Sequence, residues 1–407
     1  MKMDSANATI EADILILGGG CSGWSLVAAL LELNLQTDYK IAIVEKPQGK
    51  LNKTWSFWES LPKSTIWEAD VKWNSLRFNL DPSFSTSLDE EHVYQSVKAT
   101  NFINTVKKRA EDTGKIQLID DQIIDYDYKT SSAFGKQNNY KAKVVFQNFF
   151  ISNKEEIEAK KKLDYPLLQH FKGLVIESES LDLRTNEALF MDFEVNQTFG
   201  FAFMYVLPYS KTKALFEYTL FSENVLEKEQ YEEQIYAYLA AKHHLNKSDI
   251  SILEEEFGVI PMNDMLPSVQ NTSNWFKMGS YAGMTKASTG YTFARIQKAS
   301  NAAAASIKEF GLNDLQALKN QLEKGTSSTR YRVYDIILLE LLKNYPNEVI
   351  KAFRQLFKKL GIKKMLQFLS EDQNLIADFF VLNSVDKWVF IKAIWRAKKT
   401  LSRHLLT

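Results

Sequence analysis

A glycine-rich loop near the start of the sequence carries its clearest chemical signal. Gly18, Gly20 and Gly23 follow the apolar run 13–17 in DILILGGGCSGWSL, and a helix-like pattern begins directly after them. In such a loop the first glycine allows a tight turn, the second lets backbone N–H groups approach a pyrophosphate, and the third lets helix and strand pack closely. The spacing predicts dinucleotide binding, and the alternative is a glycine-rich structural turn.

An acidic residue stands where the ribose of such a dinucleotide would lie. Glu45 ends the second apolar run, KIAIVE at 40–45, which follows the helix-like segment 24–33. Together these segments predict a βαβ unit, in which a carboxylate after the second strand binds a pair of ribose hydroxyls. Glu45 could instead be a solvated acid at a strand end.

A late loop favours FAD over NAD. In KMGSYAGMTKASTGYT (277–292), Gly283, Thr289 and Gly290 precede a helix-like segment. In many FAD proteins a late strand, loop and helix close over the flavin, where backbone N–H groups and the helix dipole stabilise negative charge. We therefore expect these three residues to bind the cofactor.

These residues require two kinds of sheet to position them. Residues 1–150 with 253–310 predict an α/β, Rossmann-like FAD-binding domain that is discontinuous in sequence. Residues 151–252, with parts of 51–100, contain β-rich runs that predict an antiparallel-sheet substrate domain. Residues 311–407 have an almost entirely helical pattern.

Composition excludes several classes of protein. The 407 residues include 50 Lys and Arg and 50 Asp and Glu, and this zero formal charge gives no reason to expect nucleic acid as a partner. The single cysteine, Cys21, cannot form an intrachain disulfide, and it reads as a packing residue rather than a nucleophile. With no H-E-x-x-H, paired cysteines or clustered histidines, no metal site is expected.

The last part of the chain is basic. From Arg330 to Thr407 there are 15 Lys or Arg and 7 Asp or Glu, a net charge of +8 with His neutral. Segments 351–369 and 388–403 mix apolar and basic residues, as helices lying in a membrane interface do. No apolar stretch reaches the roughly 18–20 residues that span a bilayer, and the polar start lacks a signal-peptide core. We expect a peripheral protein on the cytoplasmic side of a membrane; the alternative is a helical cap packed on the second domain.

Six segments of the sequence resemble the FAD-containing lycopene β-cyclase family of carotenoid biosynthesis. They occur in family order and are DILILGGGCSGWSL (13–26), NKTWSFWE (52–59), LLQHFKGLVIES (167–178), ALFEYTLFSEN (214–224), EEEFGVIPM (254–262) and ASTGYTFARIQ (287–297). TWSFW, FEYTLFSE and STGYTF are specific to the family, whereas the glycine loop is not.

The resemblance implies an isomerisation of lycopene and related carotenoids. In this family a proton adds to C2 of an acyclic end, the C5=C6 bond attacks the cation at C1, and loss of a proton from C6 leaves a β-ionone ring. Closure of both ends gives β-carotene without net oxidation. The resemblance also implies that FAD is active in its reduced form, with NAD(P)H as reductant, and that the flavin either stabilises the cation or donates the proton.

Glu217 matches the family's catalytic glutamate. It lies in LFEYT, a strand pattern in which Leu215, Glu217 and Thr219 share a face. A carboxyl turned into an apolar cavity has a raised pKa and can remain protonated as an acid, whereas an outward one would be solvated or salt-bridged.

Other residues of the matched segments are weaker candidates. Trp55, Phe57 and Trp58 could line the substrate cavity and support a passing cation, or they could simply pack in the core. Glu59 could be a second proton-handling group, and His170 reads as a satisfied core histidine.

The sequence departs from related patterns at two points. Gln147 and Asn148 stand where some relatives carry an aspartate at the end of the last strand of the first domain. Gly279 and Ser280 replace the Gly-Asp of many FAD monooxygenases, which argues against a standard hydroxylase. The alternatives remain an FAD-dependent monooxygenase or dehydrogenase acting on an apolar substrate, and a membrane-bound FAD protein without catalysis.

Overall fold

A computed structural model describes residues 8–47, 52–58, 61–78, 85–87, 93–149 and 162–406. The strands are β1 (Thr9–Leu17), β2 (Ile41–Glu45), β3 (Thr54–Phe57), β4 (Val71–Trp73), β5 (Ser75–Phe78), β6 (Ser85–Ser87), β7 (Tyr94–Lys98), β8 (Ile116–Asp120), β9 (Ile123–Asp127), β10 (Ser132–Gly135), β11 (Asn139–Gln147), β12 (Leu167–Glu177), β13 (Glu187–Asp192), β14 (Phe201–Pro208), β15 (Lys213–Ser222), β16 (Ser251–Met262), β17 (Gln270–Thr272) and β18 (Trp275–Lys277). The α-helices are α1 (Cys21–Glu32), α2 (Ala99–Thr113), α3 (Lys228–His243), α4 (Phe293–Phe310), α5 (Leu315–Glu323), α6 (Thr329–Asn344), α7 (Pro346–Leu369), α8 (Leu375–Leu382) and α9 (Lys387–Leu405).

The first sheet has the order β17-β18-β11-β1-β2-β8, with β18, β11, β1, β2 and β8 mutually parallel. Apolar side chains of β1 such as Ile14 and Ile16 pack with α1, α2 and α4 on one face. The hairpin of β9 and β10 pairs with β11. Because parallel strands end at the same edge of a sheet, the loops after β1, β2 and β11 come together there. The predicted α/β fold with a Rossmann-like domain is confirmed.

The second sheet has the order β16-β12-β15-β14-β13-β5-β6 and is antiparallel from β16 to β13. One of its faces packs on α3, and the other contributes to a core shared with α6 and α7. We expected the chain to return to the first domain at residue 253. Instead β16 pairs with β12 in the second sheet, because its alternating side chains suit a half-buried edge strand, and the return begins at Gln270.

The carboxyl-terminal helices are part of the body of the molecule. The rings of Phe78 on β5 and Phe357 on α7 stack with their centroids 3.5 Å apart. The Lys286 ammonium lies 2.8 Å from Asp335 and 2.8 Å from Glu371, which ties the late loop to the helical region. The apolar side of 351–369, which we assigned to a membrane interface, is therefore largely core: Phe353, Leu356 and Phe357 are buried.

Candidate active site

The glycine loop joins β1 to α1 as its spacing predicts. Gly18 has a φ of +99°, which favours glycine, and a Cβ on Gly23 would lie 2.0 Å from the Gly18 carbonyl oxygen. A Cβ on Gly20, by contrast, would meet no atom within 4 Å, so the space beside it is open. Helix α1 begins at Cys21 without a side-chain cap or an acid in its first turn, which leaves its first N–H groups available to an anion.

Glu45 ends β2 beside this loop. Its carboxylate accepts a hydrogen bond from the Trp24 indole at 3.3 Å, and partial burial raises its pKa above the ordinary value. A Cβ on Gly19 would lie only 1.7 Å from Glu45 Oε2, so a glycine is required there for this carboxylate position. Sequence reasoning identified Glu45 but not the role of Gly19.

The late loop reaches the start of α1. Gly279 has a φ of +65°, and a Cβ there would lie 2.6 Å from Ser22 Oγ. Gly290 has a φ of +76°, and its missing side chain leaves room for Gln169 of β12. We expected Gly283 at the cofactor, but it packs against Pro267. The contact is so close that a Cβ on Gly283 would lie 2.9 Å from the Pro267 Cα.

The two loops and the second sheet enclose one chamber of about 350 Å³. Its cofactor end includes Gly20, Cys21, Ser22, Asn148, Gly279 and Thr292, and its acid end includes Trp55, Tyr94, Phe171, Tyr205, Leu207, Leu215, Glu217 and Tyr291. Thr289, Gly290 and Gln169 also line it.

Three polar atoms of the chamber walls are buried without a hydrogen-bond partner: Thr289 Oγ1, Gln169 Oε1 and Asn148 Oδ1. Buried polar groups normally find partners, so these atoms fit a polar ligand. Together with the open space at Gly20 and the uncapped helix, they suit the phosphates and ring system of a dinucleotide flavin.

Glu217 on β15 faces the acid end of the chamber, which is the inward one of the two orientations that the strand pattern left open. The Glu217 side chain forms part of the chamber wall. The Thr219 hydroxyl donates a hydrogen bond to Glu217 Oε1 at 3.0 Å. Burial, and then the negative charge of nearby Glu256, raise the pKa of Glu217 well above the ordinary value. Burial therefore favours the neutral, protonated form of the Glu217 carboxyl.

Glu256 is the functional candidate that sequence reasoning missed. In the strand register Glu217 lies opposite Gly173 of β12, and Gly173 lies opposite Glu256 of β16. A Cβ on Gly173 would come within 2.9 Å of the Glu256 side chain, so the glycine lets two carboxyls meet across an intervening strand. The two carboxyls therefore lie within electrostatic reach of each other, in buried surroundings that disfavour two negative charges.

Glu256 also has partners that favour its ionised form. The Thr54 hydroxyl donates to Glu256 Oε2 at 2.8 Å, and the positive charge of Lys98 acts in the same direction. Burial nevertheless raises the pKa of Glu256 as well, so burial favours the protonated form of both carboxyls. The sequence carried one signal for Glu256, the matched segment EEEFGVIPM. Which of its three acids lies near Glu217 depends on the register of β16 against β12.

The three aromatic candidates occupy different places. Trp55 lines the chamber and stacks on Phe293 with centroids 5.5 Å apart. Phe57 packs in the core of the first domain. Trp58 lies behind the chamber wall, edge-on to Tyr291 at 4.4 Å, with its indole donating to Ser370 at 2.7 Å.

Several other residues are structural. His170 is fully buried, hydrogen-bonded to Tyr231 and Ser222, and burial lowers its pKa to about 4. Burial raises the pKa of the Cys21 thiol to about 12, which makes it a poor nucleophile. Gln147 accepts a hydrogen bond from Trp275 at 2.8 Å.

Glu59 lies outside the described residues, and within them no cluster of His, Cys, Asp and Glu could hold a metal ion.

Comparison with known proteins places this site in a family. Residues 13–395 match the family model described as Lycopene cyclase protein, which covers nearly the whole chain. No curated protein sequence matches the chain at a significant level.

Solved structures with similar folds have very different sequences. A geranylgeranyl bacteriochlorophyll reductase-like protein from Thermoplasma acidophilum has a TM-score of 0.65 at 11% identity, over 97% of this chain and 100% of its own. The p-nitrophenol 4-monooxygenase PnpA from Pseudomonas putida DLL-E4 has a TM-score of 0.56 at 10% identity, over 97% and 99%. PqsL, a probable FAD-dependent monooxygenase from Pseudomonas aeruginosa, has a TM-score of 0.54 at 11% identity, over 82% of this chain and 97% of its own. At these identities the likeness establishes the fold.

Proposed function

The chain belongs to the lycopene cyclase family, and from this premise we propose that it is a lycopene β-cyclase. It closes both acyclic ends of lycopene to β-ionone rings and yields β-carotene through a one-ringed intermediate, an isomerisation without net redox change. The observation that carries this proposal is Glu217, a carboxyl with a raised pKa that lines an aromatic chamber beside the dinucleotide loop.

FAD is the proposed cofactor, supported by the fit of the chamber walls. The first N–H groups of α1 would bind the pyrophosphate, and the loop containing Gly279, Thr289 and Gly290 would hold the ring system. Glu45, beside Gly19 and Trp24, would bind a ribose. When bound and reduced at the expense of NAD(P)H, FAD supplies an electron-rich ring that stabilises a neighbouring cation.

Glu217 is the proposed acid. Its proton passes to C2 of the acyclic end, which leaves the positive charge at C1, and the C5=C6 electron pair then forms the C1–C6 bond. Loss of the C6 proton restores a neutral product, and the newly formed Glu217 carboxylate is a base able to take it. Protons and electrons balance, so the reaction consumes no reductant.

Other groups of the chain protect the acid and the cation. Glu256 acts through Glu217 as a positioning residue, because its negative charge raises the pKa of Glu217 and so favours a proton there. Trp55, Tyr94, Tyr205 and Tyr291 exclude water, and their ring faces can stabilise a positive charge.

The proposed location is the cytoplasmic face of a membrane, bound peripherally. Within the described residues no helix is both long and apolar enough to cross a bilayer. Large apolar side chains are nevertheless exposed on α8 and α9, and we name them the docking face: Leu375, Ile376, Phe379, Phe380, Trp388, Ile391 and Trp395. Lys387, Lys392, Lys398 and Lys399 lie among them on α9. Apolar surface next to basic residues fits anionic lipid.

Flotation tests this location. The folded protein should float with vesicles of phosphatidylcholine and phosphatidylglycerol, and a Trp388→Ser/Trp395→Ser double variant should float much less. A Gln316→Ser variant on exposed α5 is the control. Equal flotation of all three proteins would remove the docking face from the proposal.

Expression in cells that accumulate lycopene tests the reaction. Pigment analysis should find β-carotene and some one-ringed intermediate. An oxygenated or desaturated lycopene product would instead support the alternative, an FAD-dependent monooxygenase or dehydrogenase.

A further inference from the structure

A short turn of the late loop carries three residues of the chamber wall, which are Thr289, Gly290 and Tyr291. The backbone of Lys286 closes this turn. The Lys286 N–H donates to the Tyr291 carbonyl at 3.0 Å, and the Lys286 carbonyl accepts from the N–H of Gly290 at 2.9 Å. We call residues 286–291 the chamber turn. Its placement depends on the groups that hold Lys286.

Two side chains of the chamber turn contact the carboxyl-terminal helices. The Lys286 ammonium lies 2.8 Å from Asp335 of α6 and 2.8 Å from Glu371, which follows α7. The Ser288 hydroxyl donates to the same Asp335 at 2.5 Å. Lys286, Ser288 and Asp335 are all buried. A buried ion pair and a buried hydrogen bond to one carboxylate therefore fix the turn to α6.

The same network holds the start of α4. Arg295, in the first turn of this helix, lies 2.5 Å from Glu371 and donates to the Ser327 hydroxyl at 2.9 Å. Phe293 and Ile296, on the same turn of α4, line the chamber. Glu371 thus joins two separate segments of the chamber wall, although it lies in the helical region.

The charges of this network balance. Lys286 and Arg295 supply two positive charges, and Asp335 and Glu371 supply two negative ones. Burial alone would raise the pKa of Glu371, but the charges of Lys286 and Arg295 outweigh it and lower this pKa below its ordinary value. Buried ion pairs add little net stability over apolar packing, because desolvation offsets their attraction. They do penalise any displacement of the chamber turn, which would leave buried charges unpaired.

We propose that Lys286 is a positioning residue of the cofactor site. Through Asp335 and Glu371 it fixes the chamber turn, so that the buried, unpartnered Thr289 hydroxyl and the Gly290 backbone keep their places in the chamber wall. The helical region thereby controls the geometry of a site that it borders from behind. That the ligand held by this turn is FAD rests on the proposed function.

Lys286→Met tests this role, because methionine has a side chain of similar length without the charge. The matched control is Lys298→Met on α4, whose exposed ammonium lies 3.9 Å from Asp372. Titration of the apoprotein with FAD should give a Kd at least about tenfold higher for Lys286→Met, because unpaired buried carboxylates displace the chamber turn. The Kd of Lys298→Met should stay within about twofold of the wild type, since exposed ion pairs contribute little. A wild-type Kd for Lys286→Met would overturn the inference.

A double variant separates positioning from stability and covers the case in which Lys286→Met does not fold. Lys286→Met/Asp335→Asn removes one charge of each sign and leaves Arg295 and Glu371 as a balanced pair. It should melt close to the wild type, because no buried charge is left unpaired. The ion pair between the chamber turn and α6 is still missing, so FAD should bind at least about tenfold more weakly. The visible circular dichroism of the flavin at saturating FAD should also differ from that of the wild type. Wild-type affinity and circular dichroism in this variant would show that the network only stabilises the fold, and would overturn the inference.

These measurements require no turnover, so they separate this inference from the proposed reaction. If the wild-type protein binds FAD but forms no ring from lycopene, the proposed reaction fails, and the titrations still decide the role of Lys286. If the wild-type protein binds no FAD, the cofactor proposal and this inference both fail.

Discussion

The cofactor end of the chamber is made mainly of backbone from two loops, whereas its acid end is made of side chains from neighbouring strands. At the cofactor end, Gly20 and Gly279 are useful because they lack a side chain. At the acid end, Glu217 depends on groups from β12 and β16 that lie far away in sequence. Substitutions at the two ends should therefore separate cofactor retention from turnover.

The largest effect is expected at the acid end. Glu217→Gln should lower ring formation by about a thousandfold, the range associated with loss of a general acid, while FAD remains bound. Pigment yield and flavin absorbance measure the two properties, and Glu177→Gln on the exposed end of β12 is the control. Near-normal turnover by Glu217→Gln would remove this residue from the mechanism.

The same variant should not lose stability. Because the pKa of Glu217 is higher in the folded protein than in the unfolded chain, its contribution to stability is full at low pH and is lost as pH rises through the folded pKa. Glutamine removes this loss, so the melting temperature of Glu217→Gln at neutral pH should equal or exceed that of the wild type. A lower melting temperature would indicate a structural role.

The second effect is expected at the cofactor end. Gly23→Ala forces a methyl group against the Gly18 carbonyl oxygen, where the Cβ would lie at 2.0 Å. Such overpacking costs about 1–3 kcal/mol, which corresponds to a loss of FAD affinity of up to about a hundredfold. Titration of the apoprotein with FAD measures the loss. Saturating FAD should restore much of the turnover, and failure to do so would show that the two ends are not separable.

A shift of the pH profile is the third prediction. Ring formation needs protonated Glu217, so activity should decline as pH rises through the pKa of this residue. Glu256→Gln removes the charge that helps to raise this pKa, so the decline should move to lower pH. Glu254→Gln, whose carboxylate pairs with Lys98 at 2.7 Å, is the matched control on the same strand. Superimposable profiles for Glu256→Gln and the wild type would contradict the proposed coupling.

The smallest effect is expected at Glu45. An amide at this position can still accept a hydrogen bond from a ribose hydroxyl, so Glu45→Gln should weaken FAD binding by only about three- to tenfold. Turnover at saturating FAD should stay unchanged. A large fall in turnover with FAD bound would mean that Glu45 acts on the chemistry as well.

The cofactor end could be largely predicted from sequence because its signals are local. The spacing of Gly18, Gly20 and Gly23 encodes a turn, an open approach and a close packing contact within six residues. Gly283 was assigned to the same end only because it is a glycine in the right loop. Its position against Pro267 depends on a tertiary contact that spacing does not encode.

The acid end could be predicted only in part. Alternation along β15 placed Glu217 on a face with Leu215 and Thr219, and the family resemblance predicts a catalytic role for it. The partner Glu256 depends on the register of two strand pairs and on Gly173 between them, and a shift of one residue would exchange the faces. The sequence also left open whether the apolar side of 351–369 faces lipid or the second domain, because an apolar helix face suits either. Phe353, Leu356 and Phe357 are buried, as the alternative of a helical cap expects.

The central claim is an acid-catalysed ring closure without net oxidation. The most direct measurement is anaerobic conversion of lycopene in D₂O, with a catalytic amount of reduced FAD and a known amount of NAD(P)H. The proposed mechanism predicts β-carotene without stoichiometric consumption of NAD(P)H, and any deuterium taken up during ring closure lies at C2, with at most one deuteron in each ring. Deuterium at other ring carbons, an oxygenated or desaturated product, or one NAD(P)H consumed for each turnover would contradict it.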